Sequence, residues 1–191
     1  MTHSLKPAQH LIDLLNQWVD RGWLRALDVA LARFLLDEVH DAPPAVVLAA
    51  ALVSHQLGRG HVCLDLRRTL DHPGDTLAIP PERYLPPEQP SLPEPDELMR
   101  GWTLSDWCSQ LQRSGLVDAG PGTAPLVLSG HRLYLRRYWR HERDVEHAIH
   151  SRLTSADTLA TGWLSVEVRS ALDGFFPPLR EPRLDWQKIA C

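Results

Sequence analysis

Four side chains within eleven residues, His55, His61, Cys63 and Asp65, are of types that ligate metals or move protons. A structural zinc site takes four ligands, usually as two close pairs. No second cysteine or histidine pair completes four here, and the spacing is not that of a zinc knuckle. Histidine and free cysteine often sit in interiors, so a structural role is the expectation and no metal site is assigned. Ser54 beside His55 offers the types of a nucleophile and its base. Neighbours on a helix point roughly 100° apart, however, and no Gly-x-Ser-x-Gly elbow surrounds Ser54. Gly120-Pro121-Gly122-Thr123 has the glycines of a phosphate loop, but Ala124-Pro125 follow where such a loop needs Lys and Ser/Thr. It reads as a turn. No catalytic residue is assigned.

The strongest charged feature is RLYLRRYWRHER, residues 132–143. Arg132, Arg136, Arg137 and Arg140 interleave with Tyr138 and Trp139, and arginine with aromatics can hold a phosphate backbone and stack on bases. The competing reading is a strand that turns Leu133 and Leu135 inward and its arginines outward, toward the acids Glu142, Asp144 and Glu146. Salt bridges within the chain or to a partner are favoured over nucleic acid, because those acids are so near.

These residues have to be positioned by what surrounds the stretch 44–66. Ala45–Val53 is a nine-residue apolar run with no polar face before Ser54, the mark of a helix buried on most sides. Gly58 or Gly60 supplies the stop, and Val62, Leu64 and Leu66 then alternate with polar neighbours as in a strand. Upstream, Leu11, Ile12, Leu15, Trp18 and Val19 predict an amphipathic helix over 7–21, closed by Gly22. A second helix is expected from Asp28, taken as its N-cap, with Val29, Leu31, Phe34 and Leu35 as the apolar side.

Residues 71–97 hold seven prolines between Pro80 and Pro95, among acidic residues, and predict an extended surface excursion rather than a helix or a sheet interior. Thr103–Asp106 should cap a short helix carrying Leu104, Trp107, Cys108 and Leu111, and Ser129-Gly130-His131-Arg132 should turn a hairpin. Helical spacing resumes after Trp139, and a last helix is expected over about 157–175. Asp185 then looks like the cap of a helix that runs only to Cys191, too short to stand alone. That favours a chain cut at a domain boundary.

With 191 residues, 43% apolar and 23% charged, the chain can bury one real core. A net charge of −4 gives no global pull toward nucleic acid or membrane. Three scattered cysteines make no disulfide framework, and neither a signal peptide nor a membrane span is legible. A cytoplasmic protein is the expectation.

Two stretches resemble a known family. Ser54-His55, then Gly58-Arg59-Gly60-His61-Val62-Cys63-Leu64-Asp65-Leu66, is similar to the "SH…GEGHVCL" stretch near the start of the alpha subunit (RecD) of bacterial exodeoxyribonuclease V, or RecBCD. Arg132-Leu133-Tyr134-Leu135-Arg136-Arg137-Tyr138-Trp139 with Glu142 is similar to that family's "RLYL.RYW..E". Leu27-Asp28-Val29 and Asp185-Trp186-Gln187-Lys188-Ile189-Ala190 fall in the family's order, so the likeness spans about 24–190. The resemblance implies an N-terminal adaptor domain over 1–180, then a linker and the beginning of an ATP-dependent 5′-to-3′ DNA helicase motor over 181–191. Gln187 corresponds to the glutamine such motors use near adenine. ATP and magnesium belong to that motor, and the expected partner is the gamma subunit (RecC) in double-strand-break repair.

The fold expected is α+β, mostly helical, with a small antiparallel sheet of about three strands from 61–66, 125–129 and 132–138. The function expected is assembly without catalysis. The rival is a single-stranded-DNA-binding module that uses Arg132, Arg136, Arg137, Tyr138, Trp139 and Arg140.

Overall fold

Three helices, α1 (Pro7–Asp20), α2 (Ala26–Glu38) and α3 (Pro44–Gly58), open the computed structural model, which describes residues 7–81, 92–163 and 166–176. The apolar run forms α3 as anticipated, and every residue from Ala45 to Gln56 is buried. α1 turns Ile12, Leu15 and Trp18 fully inward and is followed by Gly22, whose φ of +71° suits glycine. α2 begins three residues earlier than expected. Arg25 holds the N-cap position, and Asp28 lies inside the first turn, buried, where it accepts the Arg25 backbone N–H at 3.0 Å. Val29, Ala32, Leu35 and Leu36 face the core, whereas Phe34 stands outside it.

The strand expected over 61–66 shortens to β1 (Leu64–Asp65), because Leu66 already begins α4 (Leu66–Asp71). Asp65 caps that helix by accepting the Arg68 N–H at 3.0 Å. The stretch 71–97 also departs from expectation at both ends. It holds α5 (Pro73–Leu77) and the start of α6 (Pro95–Leu98), each with proline in the first turn, where no backbone donor is needed. Ala78, at φ +48° and ψ +50°, turns the chain so that Leu77 and Ile79 both enter the core. Beyond residues 82–91, which lie outside the described set, the Pro93 carbonyl accepts the Trp18 indole N–H at 3.1 Å.

α7 (Leu104–Gln112) is capped as anticipated, Thr103 Oγ accepting the Asp106 N–H at 3.1 Å. It drives Trp107 and Leu111 into the core, and the Trp107 indole donates to the Ala45 carbonyl at 3.1 Å. Then come β2 (Val117–Asp118), β3 (Leu126–Ser129) and β4 (Arg132–Leu135), with Gly130 at φ +61° in the hairpin turn. The sheet order is β1-β4-β3-β2. β1 and β3 pair antiparallel with β4, and β2 pairs parallel with β3. The sheet is thus mixed and four-stranded, because Val117–Asp118 adds an edge too short to register as alternation. The fold is α+β and mostly helical.

β4 stops at Leu135, three residues sooner than expected, and α8 (Arg136–Trp163) follows without a break. α9 (Val166–Phe175) is the last described helix, and Asp185 and Gln187 lie outside the described residues. Contacts divide the chain into two compact units, Met1–His141 and Glu142–Cys191. The second carries Val145, Ile149 and Leu153, exposed along α8, and an Arg143–Glu146 ion pair. Among the described residues no helix is long and apolar enough to cross a membrane.

The α3 terminus is held from outside. Arg25 donates to the Ser54 carbonyl at 2.7 Å, and a Cβ on Gly58 would fall within the Arg25 guanidinium. Gly58→Ala should therefore displace Arg25 and lower unfolding stability by about 1–2 kcal/mol. In an Arg25→Ala background the same change should be neutral or gain a few tenths of a kcal/mol, because alanine is the better helix former. Urea titrations of the four proteins in this cycle measure the difference; equal costs in both backgrounds would show that the two residues do not interact.

Candidate interaction surface

Ser54, His55 and Asp28 do meet, but in an order that cannot cleave anything. The Ser54 hydroxyl donates to the Asp28 carboxylate at 2.7 Å rather than to an imidazole. His55 Nε2 lies 2.8 Å from the Leu77 carbonyl, which only accepts, so Nε2 carries a proton and is no base toward a serine. His55 Nδ1 faces Asp28 at 3.8 Å, and all three side chains are buried. The next residue, Gln56, donates to the Thr76 carbonyl at 2.8 Å. Each polar group at the end of the buried helix has a partner, which is what burial requires.

Asp28 is the centre of this cluster. Burial alone would raise its pKa, but the His55 ring, the Arg25 side chain, the Ser54 hydroxyl and the Arg25 backbone N–H outweigh burial together. The carboxyl ends well below the usual range. A folded-state pKa below the unfolded value contributes stability that is fully present above the unfolded pKa and is lost as pH falls through the folded one.

The arginine stretch separates into groups that the sequence did not distinguish. Arg136 is buried: it donates to the Ala124 carbonyl at 2.8 Å and the Gly120 carbonyl at 2.6 Å, and it pairs with Asp118. Its guanidinium carbon lies 5.6 Å from the centre of the Trp139 ring. Asp118 also accepts the Ala124 N–H at 2.9 Å, and a side chain on Gly122 would strike that carboxylate. The loop 120–124 thus presents carbonyls to an arginine, the reverse of a loop that cradles phosphate. Asp118 had no signal in the sequence beyond being an acid near a turn. By contrast Arg137 and Arg140 are exposed at the start of α8, and Tyr138 is half-buried with its ring against His141.

Arg132, on β4, faces elsewhere. With Arg59, His61, Arg68, Asp75 and Gln56 it lines a cleft of about 450 Å³ beside the α3–β1 turn. Asp65 sits in the same cleft, 3.9 Å from Arg132 and 3.5 Å from His131. Of the four residues first considered as metal ligands, His61, Cys63 and Asp65 line this cleft and His55 lies inside the core. Among the described residues no group of three His, Cys, Asp or Glu side chains could hold a metal ion.

The outer face of α2 is the other notable surface. Leu27 and Phe34 are 66% and 57% exposed, with the partly buried Leu31 between them at i, i+4, i+7 spacing. α2 is therefore apolar on two sides, only one of which the core covers.

Two outcomes are expected from these contacts. Asp28→Asn should lower stability at neutral pH by about 2–3 kcal/mol and flatten the acid limb of a stability–pH curve measured by urea titration. Arg136→Ala should cost about 2–3 kcal/mol by leaving two loop carbonyls unanswered and Asp118 without its cation, whereas Arg137→Ala should stay within about 0.5 kcal/mol. Equal effects at 136 and 137 would contradict this assignment.

Comparison with known proteins adds one finding. The model of the RecBCD enzyme subunit RecD, N-terminal domain, matches residues 20–134, from just before α2 to within β4. Among curated proteins none matches the chain. The matched span holds α2, α3 and the cleft beside the α3–β1 turn. The chain belongs to the family of RecD N-terminal domains of the RecBCD enzyme.

Proposed function

We propose that this domain is a non-catalytic assembly module that docks an ATP-dependent 5′-to-3′ DNA helicase motor onto the gamma subunit (RecC) of the helicase–nuclease complex in double-strand-break repair. Membership of the RecD family supports a role in that complex. The observation that carries the docking reading is the outer face of α2, where Leu27 and Phe34 are exposed on either side of Leu31, which itself packs partly against the core. Apolar groups gathered on one exposed helix face are a feature of protein contact sites. ATP and magnesium, on this reading, bind the motor and not this domain, with Gln187 near adenine.

A second reading keeps one specific support. Arg137 and Arg140 are exposed beside Tyr138, a pairing that suits single-stranded DNA. It is the weaker of the two, because Arg136, at the middle of the stretch, is consumed inside the fold.

Co-purification with the cognate gamma subunit separates them. The chain should retain the gamma subunit at moderate salt, and Leu27→Asp with Phe34→Asp should abolish retention while the circular dichroism spectrum stays unchanged. Failure of the unaltered chain to hold the gamma subunit, with salt-sensitive capture of oligothymidylate lost in Arg137→Ala/Arg140→Ala, would transfer the function to DNA.

A further inference from the structure

We propose that the cleft beside the α3–β1 turn receives a carboxylate-bearing segment of a partner protein; this rests on the assembly reading for the partner's identity but not for the chemistry. Three guanidinium groups line the cleft from three separate places: Arg59 from the turn after α3, Arg68 from α4 and Arg132 from β4. Among the described residues Arg59 and Arg68 have no carboxylate at salt-bridge distance, and Arg132 reaches Asp65 only at 3.9 Å. Elsewhere Asp28 answers Arg25 and Asp118 answers Arg136 closely, whereas Arg33, Arg67, Arg100, Arg113 and Arg137 have no carboxylate at that distance among the described residues. The cleft differs in gathering three arginines around one space of about 450 Å³. Carboxylates suit that space, because a guanidinium offers them paired N–H donors in matching geometry.

The acids in the cleft decide between protein and nucleic acid. Asp65 and Asp75 are acceptors only. A phosphodiester backbone supplies acceptors alone and would be repelled by both. A polypeptide brings N–H groups for Asp65 and Asp75 together with carboxylates for the arginines. Small-molecule sites, for their part, are lined mostly by apolar and aromatic side chains, whereas this cleft has no aromatic ring beyond His61 and sets Val62 and Cys63 among mostly polar and charged residues.

The test uses the 191-residue chain, a fluorescein-labelled hexaglutamate peptide and an oligothymidylate of matched length, followed by fluorescence anisotropy at low salt. Saturable peptide binding is expected, weakened about tenfold or more by Arg59→Glu with Arg68→Glu and unchanged by Arg113→Glu, which lies outside the cleft. The same double variant should lose the gamma subunit while keeping its circular dichroism spectrum. Peptide binding that is absent, or that survives the double charge reversal, would overturn the proposal. So would oligothymidylate binding that the double variant abolishes, since the cleft would then serve phosphate. If the unaltered chain binds hexaglutamate in this cleft but never retains the gamma subunit, the docking reading fails and the chemistry of the cleft stands.

Discussion

A helix buried on every side leaves nowhere for its own polar end to meet water, and α3 is that helix. Its first nine apolar positions need only neighbours of the right shape, which α1, α2, α7 and β4 supply. Its last turn is harder, because Ser54, His55 and Gln56 remain inside. Two elements answer the three: Asp28 from α2, and the carbonyls of Leu77 and Thr76 from α5. Leaving a buried donor or acceptor unmade costs on the order of 1–3 kcal/mol. The positions of α2 and α5 are therefore tied to the end of α3 by bond geometry as well as by packing.

The same economy sorts the arginines. Arg25 spans α2 and the end of α3, and Arg136 clasps the loop 120–124 against the start of α8. Both are satisfied inside the fold and offer little to a partner. Among the groups that face outward are the arginines of the cleft, those at 137 and 140, and Leu27 and Phe34 on α2. Buried and outward-facing cations thus occur within five residues of each other in one stretch, and only tertiary contacts tell them apart.

That is also where legibility in the sequence ended. The buried helix, the amphipathic α1, the capped α7 and the hairpin could be read because each follows from local periodicity or a short-range bond. A favourable capping residue is a local argument and points to Asp28 as the N-cap of α2, whereas Ser54, twenty-six residues away, claims that carboxylate. Phe34 was assigned to the core for the same reason: α2 is apolar on two sides, and periodicity cannot say which side is covered. Alternation of arginines and aromatics predicts a strand over 132–138, but β4 stops at Leu135 and Arg136 is pulled inward by Asp118, eighteen residues before it. The cleft was invisible, since its lining comes from the α3–β1 turn, α4, α5 and β4.

The pairing of Leu64 with Leu133 sets a schedule for the newborn chain. When β1 leaves the ribosome, its sheet neighbour β4 is still sixty-nine residues behind it. At about 5–20 residues per second that interval is roughly 4–14 seconds. α1, α2 and α3 are all synthesised before it begins, so the helical half can collapse around the apolar run while the sheet waits. Until β4 arrives, Leu64 and Leu66 have no hairpin to close over them, and that side of α3 is open. The interval is long compared with hydrophobic collapse, which takes microseconds. Translation speed through residues 66–132, rather than the intrinsic rate of strand pairing, then governs how long this half-covered core is exposed to other chains.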